Sequence, residues 1–411
     1  MPLGLYISVP FCRTKCSYCN FASDVFSKSA YENYVARLLE DIAGSRELAS
    51  RAGCTLGTAA NDTVDSIYLG GGTPSILEAS QLLRIFAVVR DEFTVTPDAE
   101  LTVECAPGTL TPALIKTLQQ CGVNRASLGV QSFVDQEAQS VGRLHKRETV
   151  LEEIGRLRQA GLDNINIDLI AGLPHQTADS WAFSVSEAIA TGAPHVSVYM
   201  LEVDDDSRLG RELIAGGTRY HAHFVPDEDR IADFYQQACE MLTAAGVTQY
   251  EISNFACGSR QSRHNLKYWT RQPYIGFGVD AHSMLTANED ALGHKAVRFA
   301  TPDSLDAYMN RGTLKVTPVS VQAAIEESFF LGLRLNRGID LESLWREFGR
   351  DAIAAWDSAI QQSIQDGLLE QQGDTLRLTP RGRLLSNEVF ARFLIEETEE
   401  TKVGTGHVNP R

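Results

Sequence analysis

The chain has 411 residues, 43% of them hydrophobic, and its 53 acidic side chains against 37 basic ones give a net charge of −16. This length and apolar fraction exclude a disordered chain and predict one large domain with a smaller one. The negative charge repels phosphate backbones, so it argues against a nucleic-acid partner and against general binding to anionic membranes. We find no signal peptide and no transmembrane run, and the eight cysteines do not form a disulfide pattern, so we expect a protein of the reducing cytoplasm.

Up to about residue 200, β-rich runs alternate with helical runs. The strand candidates are Leu5–Val9, Ser66–Leu69, Leu101–Glu104, Arg125–Gly129, Asn164–Leu169 and His195–Tyr199. The helical runs between them are Tyr31–Ala49, Ala79–Phe93, Pro112–Cys121, Arg147–Ala160 and Ser180–Thr191. Six successive βα units predict a parallel sheet with helices outside, either open or curled into a partial barrel. Ligands of such folds bind at the carboxyl ends of the strands, which is where the polar and glycine-rich residues of this chain gather.

The sequence predicts four segments. Residues 1–230 form the predicted barrel, 231–314 continue it, 315–395 form a smaller domain, and 396–411 form a disordered tail. The smaller domain has helical runs followed by a hairpin that turns at Gly373-Asp374, an arrangement typical of a winged helix. It holds nine basic and eleven acidic residues, so we expect it to pack against the barrel or cover it rather than bind DNA.

Three cysteines follow the first predicted strand with the spacing C-x3-C-x2-C: Cys12, Cys16 and Cys19. Iron–sulfur cubes normally have four thiolate ligands, so three neighbouring thiolates would leave one iron open for chemistry. The alternatives are a structural zinc site that lacks a ligand and three unrelated thiols. Zinc sites usually add a second C-x2-C hook or nearby histidines, whereas the next histidine here is His145.

This spacing resembles the signature of the radical S-adenosylmethionine (SAM) enzymes. The resemblance implies a partial (β/α)6 barrel of the TIM type, with a [4Fe–4S] cluster on the three cysteines and SAM on its open iron. Gly70–Pro74 resembles the family's loop that meets the amino group of SAM, where a side chain would hold the cofactor away from the backbone. The resemblance assigns the SAM pocket to Tyr6, Gly71, Gly72, Thr73, Glu104, Gln131, Arg143 and Asp168.

Longer stretches resemble one branch of this superfamily, the oxygen-independent coproporphyrinogen III oxidase family. They are Gly129–Phe133, Asp168–Pro174, Tyr250–Ala256 and Gly276–Ser283. Two departures argue against oxidase activity: Phe21 occupies the place of the oxidases' fourth cysteine, and there is no room before Cys12 for their N-terminal extension. His264–Trp269 instead matches H-N-x-x-Y-W, a mark of the haem-chaperone branch.

The resemblance makes His264 a candidate haem ligand, with Tyr268 and Trp269 as flat apolar contacts. A hydrogen-bonded structural role for His264 is the alternative, and His282 is a rival ligand or another structural histidine. His145, His175 and His195 are expected to be structural.

The resemblance therefore implies a haem chaperone that binds haem and a SAM-ligated cluster and delivers haem to respiratory haem proteins. Its expected partners include a low-potential electron donor, and it could reach the membrane peripherally through its partners. Whether it also catalyses a reaction stays open. The alternatives are oxidative decarboxylation of coproporphyrinogen III and tRNA modification, and the acidic charge argues against the second.

Overall fold

The computed structural model describes residues 1–58, 62–287 and 294–395, so the predicted tail 396–411 lies outside the described residues. The chain folds into two compact units, the first spanning Met1–Ser320 and the second beginning at Val321. This boundary lies a few residues beyond the expected one at 315, because Lys315–Val319 pairs with Ala296–Ala300 in the sheet of the first unit. In the described ranges, no helix is long and apolar enough to cross a membrane.

Six parallel strands, paired in chain order, form the centre of the first unit. They are β1 (Leu3–Val9), β2 (Thr63–Gly71), β3 (Thr94–Cys105), β4 (Arg125–Gln131), β5 (Ile165–Ala171) and β6 (His195–Met200). Five of the six contain the whole predicted run, and β5 contains all of its run except Asn164. A helix lies in every connection between consecutive strands. The first and sixth strands do not pair with each other, so the barrel is partial, as the resemblance implied.

Burial explains why these strands were recognisable. β1 and β5 are buried at nearly every position, as expected for parallel strands covered on both faces. The first helix buries Tyr31, Tyr34, Val35, Leu38 and Ile42, which is the i, i+3, i+4 spacing of one helical face.

The helices of the first unit surround this sheet. They are α1 (Lys28–Ala43), α2 (Ser45–Arg51), α3 (Ala79–Glu92), α4 (Pro112–Gln120), α5 (Asp135–Ser140), α6 (Arg147–Gln159), α7 (Ala178–Ala190), α8 (Arg208–Ala215), α9 (Glu228–Ala244), α10 (Arg263–Trp269) and α11 (Leu305–Met309). The run predicted as one helix over Tyr31–Ala49 is interrupted at Gly44, a poor helix former that caps α1.

Shorter strands extend the sheet on both sides. They are β7 (Thr248–Gln249), β8 (Asn254–Ala256), β9 (Tyr274–Phe277), β10 (His282–Thr286), β11 (Ala296–Ala300) and β12 (Lys315–Val319). β9 pairs in parallel with β1, and β10 to β12 follow it in antiparallel order. β8 pairs with β6 on the other side and β7 with β8. The segment predicted to continue the barrel therefore adds strands to both edges of the same sheet.

The second unit is helical with a small three-stranded sheet. Its helices are α12 (Val321–Gly332), α13 (Leu341–Phe348), α14 (Arg350–Ile353), α15 (Asp357–Gln365), α16 (Pro380–Leu384) and α17 (Ser386–Ala391), and its strands are β13 (Ile339–Asp340), β14 (Leu369–Gln372) and β15 (Thr375–Leu378). The predicted hairpin is present, and β13 adds a third strand to it.

Two predicted helices of this unit are divided in the structure. A turn of 3₁₀ helix, Ala354–Trp356, separates α14 from α15. It carries the Trp356 ring into the core, where Nε1 donates a hydrogen bond to the Phe393 carbonyl at 2.9 Å. Leu385 separates α16 from α17, where a single helix was expected over Arg381–Leu394.

Candidate functional site

A cavity of about 570 Å³ lies at the carboxyl ends of the six parallel strands. It brings together residues that are far apart in sequence, among them the three cysteines and every predicted SAM residue but one. The predicted residues that line it are Cys12, Cys16, Cys19, Gly71, Gly72, Thr73, Glu104, Gln131, Arg143 and Asp168, joined by Phe21, Tyr68 and Tyr199. Tyr6, the remaining predicted residue, lines a neighbouring cavity instead.

The cysteine loop is folded back on itself by its own lysine. Lys15 Nζ donates hydrogen bonds to the carbonyl of Phe21 at 2.6 Å and to that of Ser23 at 2.7 Å. The Cys19 amide donates to the Cys16 carbonyl at 3.3 Å. These contacts hold the loop in a tight turn. Its three cysteines therefore line one cavity although they lie outside any helix or strand.

Polar groups lie close to the thiols. Arg143 Nη1 is 3.6 Å from Cys16 Sγ, and Thr73 Oγ1 is 3.8 Å from Cys12 Sγ. Burial raises the pKa of the Cys12 and Cys19 thiols above the ordinary value. Within the described ranges, no three His, Cys, Asp or Glu side chains are arranged to hold a single metal ion. A guanidinium and a hydroxyl beside the sulfurs fit an anionic cluster, whose reduction potential depends on hydrogen bonds to its sulfurs.

The glycine loop after β2 is locked against the cysteine loop. The Gly72 amide donates to the Val9 carbonyl and the Thr73 amide to the Phe11 carbonyl, both at 2.7 Å. A Cβ on Gly72 would lie 2.6 Å from the Phe11 oxygen and 2.8 Å from the Val9 oxygen, and Gly71 has a φ of +99°. Only glycine fits this close approach of two backbones.

Glu104 places a half-buried carboxyl at the end of β3. Burial raises its pKa to about 7, although the hydroxyl of Tyr68, which donates to Oε1 at 2.8 Å, favours the charged form. The charge of Asp168 raises the pKa further, and the Gly71 amide lowers it. This carboxyl therefore changes its charge near neutral pH, and a cationic ligand would favour its ionised form.

Asp168 at the end of β5 is held by a layer of small polar side chains. Asn166 Nδ2 donates to Oδ1 at 2.7 Å and Ser127 Oγ donates to Oδ2 at 3.2 Å. Burial raises the pKa of Asp168, while hydrogen bonds from Ser197 and these two residues lower it. These supporting residues did not stand out in the sequence. The strand alternation could have identified Asn166, because positions two apart on a strand share a face, as Asn166 and Asp168 do.

Gln131 has the strained backbone of the site. Its φ is +70°, which L residues rarely adopt and which costs of order 1–3 kcal/mol. The strain accompanies an irregular register between Gly129 and Gln131 on β4, where Arg143 donates to the Gly129 carbonyl. Gln131 Oε1 is buried and accepts no hydrogen bond within the protein. An unsatisfied acceptor beside a glycine cradle and two carboxyls fits a ligand that has amino and hydroxyl donors, as SAM does.

A second cavity of about 400 Å³ adjoins the first, and Phe21 and Gly71 line both. Four of its ten lining residues are tyrosine or phenylalanine. The residues that line it are Tyr6, Ser8, Phe21, Ala22, Gly71, Tyr268, Tyr274, Val279, Asp280 and His282. It lies along the β1–β9 pair, where Gly276 stands opposite Tyr6. Phe21, which the sequence comparison placed at the position of the oxidases' fourth cysteine, is 63% exposed and lines both cavities.

His264, the candidate haem ligand, lies inside the barrel. Its side chain is 1% exposed, and both ring nitrogens are engaged: Nδ1 with Ser66 Oγ at 3.0 Å and Nε2 with the Tyr268 hydroxyl at 2.8 Å. Burial and the Lys267 ammonium lower its pKa to about 3, so the ring is neutral. Because neither nitrogen is available to iron, this geometry favours the structural role considered above. Of the two predicted aromatic contacts, Tyr268 lines the second cavity and Trp269 lines neither.

Two of the three histidines expected to be structural, His145 and His195, have such surroundings, whereas His175 is half-buried with Nε2 3.3 Å from His221 Nδ1. His195 is fully buried, with Nδ1 2.6 Å from Asn166 Oδ1 and Nε2 2.9 Å from the Tyr250 hydroxyl. His145 is buried with Nε2 3.1 Å from the Val130 carbonyl. Neither lines the two cavities described here, so both support the site from behind.

The fold and the cysteine-bearing cavity define the class of protein. The model of the radical SAM superfamily matches residues 6–186, and the model of the HemN C-terminal domain matches residues 319–385. The structure of coproporphyrinogen III oxidase (HemN) from Escherichia coli is similar in fold, with a TM-score of 0.79, 22% identity, and coverage of 95% of this chain and 90% of that one. The chain is thus a radical SAM protein with a HemN-type second unit, and the superfamily confirms the predicted pairing of a [4Fe–4S] cluster with SAM.

Curated relatives identify the branch. The chain is 32% identical to "Heme chaperone HemW" of Bacillus subtilis over 396 residues, which cover 95% of this chain and 99% of the relative. The protein of the same name from Mycobacterium tuberculosis is 32% identical, covering 96% and 95%, and that from Escherichia coli is 30% identical, covering 96% and 99%. The chain belongs to the HemW family.

Proposed function

We propose that the protein is a haem chaperone, which binds haem together with a SAM-ligated [4Fe–4S] cluster and delivers haem to respiratory haem proteins. The observation that carries this proposal is the aromatic cavity beside the cysteine cavity, with Phe21 and Gly71 common to both. The full-length relatives named as haem chaperones support the same function.

In the first cavity, Cys12, Cys16 and Cys19 would hold the cluster and leave one iron for SAM. The cluster supplies a single electron at low potential when it is reduced. Arg143 supports it by donating toward Cys16 Sγ, and Thr73 by donating toward Cys12 Sγ. Removal of either donor is expected to change the reduction potential of the cluster, because hydrogen bonds to the sulfurs help to set it.

Two carboxyls and one amide would orient SAM. Glu104 and Asp168 are half-buried in the cavity that the cysteines line and offer negative charge to a cationic ligand, and Gln131 offers an unsatisfied acceptor. Water exclusion strengthens these interactions, because charges in a buried site are poorly screened. The Gly72 backbone would let the cofactor approach the strand ends closely.

The second cavity is suited to a flat apolar ligand. Tyr6, Phe21, Tyr268 and Tyr274 offer ring faces and edges, which favour contact with extended π systems. Its volume of about 400 Å³ lies within the range of small-molecule sites, which is about 300–1,000 Å³.

We further infer a cytoplasmic protein that takes electrons from a low-potential donor and meets the membrane through its haem-accepting partners.

An anaerobic titration of the cluster-reconstituted protein with haem, followed by the Soret band, tests this proposal. We expect saturable binding of one haem per chain. Absence of saturable binding would refute the chaperone function. A parallel incubation with SAM, reductant and coproporphyrinogen III should give no protoporphyrinogen; formation of that product would instead establish the oxidase reaction.

A further inference from the structure

His282 is placed differently from His264. It begins β10 at the rim of the second cavity, and its side chain is 68% exposed. No histidine lines the first cavity, and His282 is the histidine that lines the second, among the residues that the structure describes. An accessible imidazole beside four aromatic rings has the chemistry of a haem axial ligand.

The turn before His282 is rigidly built. The Asp280 amide donates to the Pro302 carbonyl and the Ala281 amide to Thr301 Oγ1, both at 2.8 Å. Asp280 has a φ of +52°, and Gly278 has a φ of +99° at a point where a Cβ would collide with Ser8 and Tyr34. These contacts fix the direction in which the chain enters β10, so His282 is presented from a fixed backbone.

A carboxylate accompanies the His282 ring. Asp280 Oδ1 lies 3.5 Å from Nε2, within ion-pair distance. Histidines that bind metals commonly donate their other ring N–H to a carboxylate, which fixes the tautomer and raises the basicity of the ligating nitrogen. If Asp280 retains the proton on Nε2, Nδ1 is the nitrogen available to iron.

The contacts of His264 define another role for the H-N-x-x-Y-W motif. Its Nε2 forms a hydrogen bond with the hydroxyl of Tyr268, four residues later on α10. Its Nδ1 forms a hydrogen bond with Ser66 on β2. Tyr268 in turn packs edge-on against Tyr274, with ring centroids 4.6 Å apart. His264 therefore fixes one aromatic wall of the second cavity from behind.

We propose that haem occupies the second cavity with His282 as its axial ligand, and that His264 is a positioning residue that acts through Tyr268. This inference rests on the proposed haem-binding function, and it assigns the ligand to a residue outside the H-N-x-x-Y-W motif. Because His282 is exposed, replacing it does not disturb the core, which makes the assignment directly testable.

The experiment compares haem spectra of the reconstituted full chain with those of three variants: His282→Ala, His264→Gln and, as a matched exposed control, His223→Ala. We expect His282→Ala to weaken haem binding by at least about 10-fold, because even the loss of an outer partner of a metal ligand costs about 10- to 100-fold in affinity. The variant should also lose the spectrum of histidine-ligated iron. Added imidazole should restore that spectrum. His264→Gln should retain histidine ligation and bind somewhat less tightly, and the control should match the wild type.

The outcomes separate this inference from the function on which it rests. If the wild type does not bind haem, both are refuted. If the wild type binds haem and His282→Ala retains its affinity and spectrum, the ligand assignment alone is wrong. A folded His264→Gln variant that loses histidine ligation while His282→Ala keeps it would return the ligand to His264.

Discussion

Glu104 connects the stability of the protein to its SAM site. Its pKa is raised from 4.5 to about 7, chiefly by burial. The unfolded side chain ionises above pH 4.5 while the folded one remains protonated up to about pH 7, so the free energy of unfolding falls as pH rises through this window. At about 1.4 kcal/mol per pKa unit, this group lowers stability by about 3 kcal/mol between pH 4.5 and pH 7, with no further loss above.

Glu104→Gln keeps the size of the side chain and removes this titration. In the ligand-free protein, the variant should therefore gain about 3 kcal/mol relative to the wild type when pH is raised from below 5 to 8. Urea unfolding of the first unit at both pH values measures this difference. Glu202→Gln, on an exposed carboxyl that lines the same cavity, is the matched control and should follow the wild type.

The affinity for SAM should rise with pH, whereas the stability of the ligand-free protein falls. With a pKa of about 7, roughly a tenth of the Glu104 carboxyl is ionised at pH 6 and roughly nine-tenths at pH 8. If the carboxylate attracts the cationic cofactor, the affinity of the wild type for SAM should rise about tenfold from pH 6 to pH 8. This rise is counted relative to any change in the affinity of Glu104→Gln over the same range. Calorimetric titration provides the comparison. The same pH dependence of stability and of affinity in both proteins would refute this explanation.

Three further variants test the cluster loop and its supports. Cys16→Ala should lose the brown cluster absorbance yet remain soluble, and a normal iron content would contradict its assignment as a ligand. Gly72→Ala should lose cluster and SAM binding and about 1–3 kcal/mol of stability, because the new Cβ would overlap the Phe11 and Val9 carbonyls. Gly155→Ala, on α6 where a Cβ meets no other atom, is the control and should unfold no more easily than the wild type. Equal behaviour of the two variants in chemical unfolding and iron assays would contradict the packing argument. Arg143→Gln should lower the cluster reduction potential, because the variant lacks the cation beside Cys16 Sγ. A redox titration followed by electron paramagnetic resonance measures this potential. An unchanged potential would show that Arg143 does not tune the cluster.

Much of the fold could be predicted because local burial is strong. The six parallel strands lie in runs that are buried on both faces, so their apolar residues stand out from the intervening helices. The divided helices were missed for a local reason: Gly44 ends α1, and Trp356 leaves the helical path to reach the core. Neither break interrupts the apolar pattern, so periodicity alone gives no sign of it.

The first cavity could be predicted from the sequence and the second could not. Residues at the carboxyl ends of successive parallel strands meet by topology, which brings the cysteines to Glu104 and Asp168. The second cavity depends on the parallel pairing of β9 with β1, which joins segments about 270 residues apart. No local pattern specifies that pairing.

The roles of the two histidines show the same limit. The motif identified His264 as chemically notable, but its burial and its two hydrogen bonds follow from packing against Ser66 and Tyr268. His282 lies in a stretch recognised for its glycines, and its exposure at the cavity rim appears only when β10 is placed beside β9.

A haem chaperone must both carry haem and pass it on. To test this, the cluster-reconstituted, haem-loaded protein is mixed anaerobically with membrane vesicles that contain a haem-free respiratory cytochrome, and both spectra are followed with time. We expect the Soret band of the chain to decline as the cytochrome spectrum appears, faster than with free haem at the same concentration. Haem that stays on the chain, or a cytochrome that fills no faster than from free haem, would contradict it.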